Sequence, residues 1–262
     1  MEKLFVIKIG GNVLDSDSAL ESFLKDFASI SERKILIHGG GKIATRLGDK
    51  LGIESKYVNG RRITDAATLD LVTMVYGGLV NKRIVSALQK LGNNALGLTG
   101  ADGNLIKATK RAVKEIDYGF VGDILPENVN RSLLTLMLKE KIVPVFAPLT
   151  HNDGTMLNTN ADTIASVLSV SLSDRFDVRL IYCFEKKGVL ENVENPLSVI
   201  RHLPKHTYDH LLEKKVFADG ILPKLENAYA AIHAGVKEVL IGEAADLISN
   251  TGTITEGTLI TA

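Results

Sequence analysis

The sequence predicts an α/β protein, a three-layer α/β/α sandwich around a mostly parallel central sheet. Three observations predict it. Short apolar runs rich in β-branched residues alternate with longer stretches of helical spacing along the whole chain. The first fifty residues hold strand, helix, strand, glycine turn and helix, a βαβ unit that calls for a parallel sheet with a right-handed crossover. No linker, low-complexity run or internal repeat interrupts the alternation, so the two lobes expected, residues 1–172 and 173–262, are contiguous.

Phe5-Val6-Ile7-Lys8-Ile9 is a buried strand that carries one lysine and breaks into Gly10-Gly11-Asn12. Two glycines let the backbone turn sharply and come close to a ligand, because no Cβ blocks the approach. Lys8 stands toward the carboxyl end of the strand, where open α/β sheets bind ligands, and a cation beside bare amides suits a phosphate. On this stretch alone, a plain strand end with a solvated lysine explains the residues equally well. Leu20, Phe23, Leu24, Phe27 and Ile30 then share one helical face, with capping residues at 15–18.

The second strand, Lys34-Ile35-Leu36-Ile37-His38, runs into Gly39-Gly40-Gly41-Lys42 ahead of a helical stretch at 43–51. This triplet is not a Walker A loop, since Gly41-Lys42 is followed by Ile43 and no glycine stands at position 36. Its spacing fails the dinucleotide fingerprint. It is not an esterase oxyanion loop with a partner, because G-x-S-x-G occurs nowhere. A strand-to-helix turn with bare amides at a helix N-terminus is left, and such a turn favours anions.

Asn59-Gly60 between extended residues predicts a hairpin that sets Arg61 and Arg62 near the sheet edge, where one arginine can hold a carboxylate by its fork. Residues 65–91 form the longest helical stretch, with Gly77-Gly78 in its middle, suited equally to a close dimer contact and to internal packing. Residues 94–103 read as a third strand with a glycine-rich loop, 104–124 as a β-meander, 132–139 as a helix and 142–148 as a buried strand edged by prolines. Leu157-Asn158-Thr159-Asn160-Ala161-Asp162 leads into an apolar helix. Capping explains one of its polar residues but not three at alternate positions, which face one side of an extended segment. Beyond it come a strand at 178–183, a turn at 185–190, a helix at 206–213, the opening Asp219-Gly220-Ile221-Leu222-Pro223-Lys224 of a helix at 225–234, and strands at 236–241 and 258–260.

Composition narrows the partners. The 262 residues are 45% apolar and 24% charged, enough for a full core. Lys+Arg and Asp+Glu are both 31, and this balance argues against nucleic acid or an anionic membrane as partner. Cys183 is the single cysteine, which excludes a disulfide framework and a cysteine metal site. The opening residues lack a signal-peptide layout and no window reaches the length of a membrane span, so the expected compartment is the cytoplasm.

Five runs, in order and spaced alike, resemble the amino acid kinase family over essentially the whole chain. They are Lys8-Ile9-Gly10-Gly11, His38-Gly39-Gly40-Gly41, Asn59-Gly60-Arg61-Arg62, Asn158-Thr159-Asn160-Ala161-Asp162 and Asp219-Gly220-Ile221-Leu222-Pro223-Lys224. The NGxR and NxNAD runs are similar to the members that act on N-acylated glutamate. The resemblance implies transfer of the γ-phosphoryl group of ATP, with Mg²⁺, to the side-chain carboxylate of N-acetyl-L-glutamate, a step of arginine biosynthesis. It implies Lys8, Lys224 and Asp162 as catalytic residues, the lysines stabilising the moving phosphoryl group and Asp162 holding both. Gly10 and Gly11 would bind phosphate. Gly40, Gly41, Arg62, Asn158 and Asn160 would bind substrate, with the Arg62 hairpin as a lid. Glu185, Gly188, Leu190 and Asp219 would contact the nucleotide, and the protein itself would supply no metal ligands.

Residues 1–172 would then be the acylglutamate and dimerisation lobe and 173–262 the nucleotide lobe. The family usually has Ser/Thr-Asp where this chain has Phe184-Glu185, which changes the reach toward a nucleotide. Relatives inhibited by arginine carry an extra N-terminal helix that joins dimers into hexamers. This chain starts at its first strand, so the resemblance implies a homodimer without arginine inhibition. Two alternatives stay open: N-succinyl-L-glutamate as substrate, for which Arg61, Lys42 and Lys107 are candidate extra cations, and a ligand-binding relative that has lost phosphotransfer.

Overall fold

The first strand, β1 (Lys3–Ile9), is the middle of the molecule. Leu4 and Val6 point into one hydrophobic core and Phe5, Ile7 and Ile9 into a second, and all five are fully buried. A strand apolar on both faces needs helices above and below it, and this is the physical origin of the three layers. The computed structural model describes residues 1–58, 60–192, 194–214, 216–217 and 221–262, with the side chain of Asn12 left out.

Among the described residues, eight strands form one sheet. After β1 they are β2 (Arg33–His38), β3 (Ala95–Leu98), β4 (Val143–Phe146), β5 (Asp177–Phe184), β6 (His202–Pro204), β7 (Glu238–Glu243) and β8 (Thr258–Thr261). Their spatial order is β6-β8-β7-β5-β1-β2-β4-β3. Pairing is parallel from β3 through to β7, while β8 runs antiparallel to β7 and parallel to β6. The sheet is therefore mostly parallel, as the sequence predicts. Register between β1 and β5 runs from Lys3 opposite Asp177 to Lys8 opposite Tyr182, so the sheet continues across residue 172.

Helices Arg131–Lys139, Ala161–Leu172 and Leu222–His233 cover the core on the Leu4/Val6 face. Helices Asp17–Ser29 and Gly41–Leu51 cover the other. The long stretch after residue 65 is α-helical over Ala66–Val72 and Asn81–Lys90, with π-helical turns over Thr73–Val80 between them. Gly77 and Gly78 fall inside those turns. Val72, Val75, Tyr76, Val80, Ile84 and Leu88 are buried in the core, so the apolar stripe packs internally.

Several elements differ from expectation. Residues 104–124 are not a full meander: Thr109–Lys110 pairs with Gly122–Asp123 and the rest is irregular. Leu149–Asn152 and Thr155–Asn158 form a hairpin that periodicity does not reveal, because its turn at Asp153-Gly154 has no long apolar flanks. Strand β6 and the short helix Leu247–Thr251 were also not expected, both being too short to set up a period.

Candidate active site

Three charged side chains from distant parts of the chain meet beyond the carboxyl end of β1. Lys8 Nζ lies 2.8 Å from Asp162 Oδ1, and Lys224 Nζ lies 3.9 Å from Asp162 Oδ2. Asp162 sits in the first turn of helix Ala161–Leu172, where the helix dipole favours a carboxylate. The lysine side chains are 16% and 32% exposed, so the group is screened from bulk water yet open to a ligand. The Tyr182 hydroxyl donates to the Asp162 backbone carbonyl at 3.3 Å and braces that turn from β5.

Two glycine turns flank this cluster. Gly10 ends β1 and precedes a short helical turn, Gly11–Leu14; a Cβ on Gly10 would stand 3.5 Å from Lys8 Nζ. The turn after β2 lies beside it, tied by the Gly39 amide donating to Ile9 O at 3.1 Å. Gly40 has φ +149°, and a Cβ there would meet the Tyr76 ring at 2.9 Å, so only glycine fits. Around Gly41, the first residue of the Gly41–Leu51 helix, a Cβ would meet nothing within 4 Å. The helix N-terminus with its bare amides therefore faces open space.

His38 holds this turn from beneath. Its Nδ1 lies 2.7 Å from Gly39 O, which can only accept, and its Nε2 lies 3.2 Å from Asn81 Nδ2, which donates. Those partners assign a neutral ring with the proton on Nδ1. Burial, with help from the Lys82 charge and against the Gly39 hydrogen bond, pushes the imidazole down to about 4.

A cleft opens beside the turn, lined by Gly40, Gly41, Arg62, Asn158 and Asn160 among others. Arg62 is buried in its wall, donating through Nη2 to Gly41 O and Thr45 Oγ1, both at 2.9 Å, and to the Tyr57 hydroxyl, and through Nη1 to Ser55 Oγ. Its strand, Arg61–Arg62, pairs with Tyr57–Val58 in the expected hairpin; Asn59 lies outside the described residues. Asn158 Nδ2 donates to Thr64 Oγ1 at 3.0 Å. Asn160 caps helix Ala161–Leu172, its Oδ1 accepting from the Asp162 and Thr163 amides at 2.8 and 3.1 Å. Of the three polar residues singled out in that run, Asn160 is thus the cap, Asn158 lines the cleft and Asp162 meets the lysines.

The model of the amino acid kinase family matches residues 3–243. The chain belongs to the amino acid kinase family. It is 54% identical to the acetylglutamate kinase of Parabacteroides distasonis over 97% of this chain and 99% of that one. To the acetylglutamate kinase of Bacteroides thetaiotaomicron it is 55% identical, over 96% and 98%. Among solved structures, smu.665 from Streptococcus mutans superposes with a TM-score of 0.76 at 30% identity, over 99% and 98% of the two chains.

For this member of the amino acid kinase family, three of the residues expected at a nucleotide, Glu185, Gly188 and Leu190, follow the carboxyl end of β5. Glu185 is exposed just past the strand and Leu190 pairs with Val199 in an isolated bridge. Gly188 has a packing reason of its own: a Cβ there would meet Thr258 Oγ1 at 2.6 Å and Val199 Cγ1 at 2.7 Å. Asp219 lies outside the described residues. Phe184 puts its ring centroid 4.6 Å from Lys224 Nζ. Sequence reasoning missed Arg111, which lines the cleft and pairs with Asp123. Its one available signal was a basic pair, Lys110-Arg111, in a stretch whose backbone has no period. Of the three extra cations considered, Lys107 pairs with Asp153 at 3.1 Å and Lys42 with Asp15 at 3.3 Å, whereas Arg61 lines the cleft.

Proposed function

We propose that this protein transfers the γ-phosphoryl group of MgATP to the side-chain carboxylate of an N-acylated L-glutamate, N-acetyl-L-glutamate in the first instance, as in arginine biosynthesis. The observation that carries the reading is Asp162 held between Lys8 and Lys224 beside two glycine turns. The similarity to acetylglutamate kinases over nearly the full chain supports the same acceptor.

A carboxylate acceptor is ionised at pH 7 and needs no general base. One of its oxygens attacks the γ-phosphorus as the bond to the ADP oxygen breaks, and negative charge spreads over three equatorial oxygens. Lys8 and Lys224 neutralise that charge, and the amides at Gly10-Gly11 and Gly40-Gly41 donate to the oxygens as they move. Asp162 keeps the two ammonium groups from drifting apart or repelling each other out of line. Arg62 and Asn158 align the amino-acid part of the acceptor, so that alignment supplies much of the rate. Mg²⁺ would enter with ATP as part of the substrate and would supply positive charge to its phosphates, which are hard ligands of the kind it prefers.

In this reading residues 1–172 bind the acceptor and form the homodimer contact, while 173–262 take the nucleotide near Glu185, Gly188 and Leu190. The compartment is the cytoplasm; among the described residues, no helix is long and apolar enough to cross a membrane. The decisive test is ADP release with MgATP and N-acetyl-L-glutamate. Turnover that disappears with Lys8→Ala and Lys224→Ala establishes the reading, and absence of turnover on any N-acylated glutamate ends it.

A further inference from the structure

The longest helical stretch carries a feature that the phosphoryl transfer does not use. Its middle turns, Thr73–Val80, are π-helical, and the Asn81 amide donates to Tyr76 O, five residues back. Such i→i+5 turns are rare and recur at functional sites. Here Tyr76 and Asn81 both reach the Gly39-Gly40-Gly41 turn. The Tyr76 ring lies 2.9 Å from where a Cβ on Gly40 would stand. Asn81 is buried and meets His38, the last residue of β2, which is buried as well.

The hydrogen bonds around Asn81 run in one direction. Lys82 Nζ donates to Asn81 Oδ1 at 3.2 Å. Asn81 Nδ2 donates to Val145 O at 2.9 Å and to His38 Nε2 at 3.2 Å. His38 Nδ1 then donates to Gly39 O at 2.7 Å. Both Nδ2 protons are used and Oδ1 is occupied, so the partners fix which way the amide points. Gly97 in β3 leaves the space that this amide fills, since a Cβ there would stand 1.9 Å from Asn81 Oδ1.

The chain ends on the Gly39 carbonyl, and that carbonyl shares one planar peptide group with the Gly40 N–H. A donor on the oxygen draws charge through the amide resonance and makes the N–H at the other end a stronger donor. Bonds in such a chain polarise one another. The Gly39 N–H is already given to Ile9 O at 3.1 Å. The effect therefore falls on the Gly40 amide, one of the donors assigned above to the moving phosphoryl oxygens.

We propose that His38 and Asn81 are positioning residues for phosphoryl transfer, aiming and polarising the Gly40 N–H through the Gly39 carbonyl. This rests on the kinase reading above and adds to it the two side chains that hold one of its phosphoryl donors. Neither side chain touches the acceptor. Their effect therefore belongs to the barrier and not to acceptor binding.

The test has two arms. The ¹⁵N shifts of His38 in the folded protein at pH 7 should report a protonated Nδ1 and a bare Nε2. The opposite tautomer overturns the proposal whatever the enzyme does. Steady-state ADP release with MgATP and N-acetyl-L-glutamate then compares two variants. His38→Asn keeps a donor near the Nδ1 position, whereas His38→Gln places its amide near Nε2. His38→Gln is expected to lower kcat about tenfold, less than the loss of about 10²–10³ for a donor removed outright, with acceptor KM within about threefold of wild type. His38→Asn should recover most of that kcat. Equal kcat in the two variants, or a loss that falls on KM instead, overturns the proposal. Should the His38 variants fail to fold, Asn81→Leu decides: lower kcat at unchanged acceptor KM supports the chain, and wild-type kcat overturns it. Absence of ADP release by the wild type ends the kinase reading itself, whereas a turning-over enzyme indifferent to His38 fails this proposal alone.

Discussion

The ammonium group of Lys224 stands over the Phe184 ring, 4.6 Å from its centroid, while it also lies 3.9 Å from Asp162. Phe184 is therefore in contact with a proposed catalytic lysine. A cation over an aromatic face gains about 0.5–2 kcal/mol, depending on how far it is desolvated. We predict that Phe184→Ala lowers kcat several-fold through a less ordered Lys224, while Phe184→Tyr keeps the wild-type rate. Equal steady-state rates for the alanine variant and the wild type would show that the ring does not position Lys224.

Lys8 and Lys224 should each act on the barrier more than on binding. Removing one donor to developing negative charge costs about 3–4 kcal/mol of activation free energy. Lys8→Ala and Lys224→Ala are thus expected to cut kcat by about 10²–10³ with KM for the acceptor changed little. Asp162→Asn should also lower kcat, since both ammonium groups lose their shared anchor. A variant with weakened acceptor binding and intact kcat would contradict these roles.

Arg62 should behave in the opposite way. Arg62→Ala is expected to raise KM for the acylglutamate at least tenfold with a smaller change in kcat. Because Arg62 also binds Gly41 O, Thr45, Ser55 and Tyr57, the same variant should melt at lower temperature. Arg62→Lys should not restore KM, for a single ammonium cannot reproduce the planar fork. An unchanged KM in Arg62→Ala removes the residue from the acceptor site.

His38 makes stability depend on pH. The folded imidazole titrates near 4 against an ordinary value of 6.5, so below pH 6.5 the unfolded chain takes up the proton and the folded chain does not. Stability is therefore full above pH 6.5 and falls as pH drops toward 4, by about 3 kcal/mol for this group. Urea unfolding between pH 7 and 4 should show that loss. His38→Gln should flatten the His38 part of the slope; an unchanged slope would mean that the ring is not the source.

Much of this site was legible along the chain because its parts are local. The Gly39-Gly40-Gly41 turn announces itself by composition, and the structure supplies the reason at Gly40, where φ is +149° and the Tyr76 ring leaves no room for a Cβ. The Arg61–Arg62 hairpin follows from an Asn-Gly turn signal. Lys8 and Asp162 could be picked out by residue type at a strand end and a helix start. Arg111 could not: it lies in a stretch without period, and only the pairing of Thr109–Lys110 with Gly122–Asp123 brings it to the cleft. Likewise, Phe184 read as a lost hydroxyl because nothing in the sequence shows that Lys224 comes to rest on its ring.

By itself, then, the amino-acid order determined the three-layer architecture, the glycine turns at the ends of β1 and β2, and the identity of the charged residues beside them. Periodicity and backbone sterics act over a few residues, and those features need no more. The meeting of Lys8, Asp162 and Lys224, and the placing of the Arg111–Asp123 pair on a wall between two cavities, were decided only by the tertiary structure. Contacts of that kind depend on strand order and register, β1 lying between its sequence neighbour β2 and the distant β5, and these emerge from burying both faces of one sheet at once.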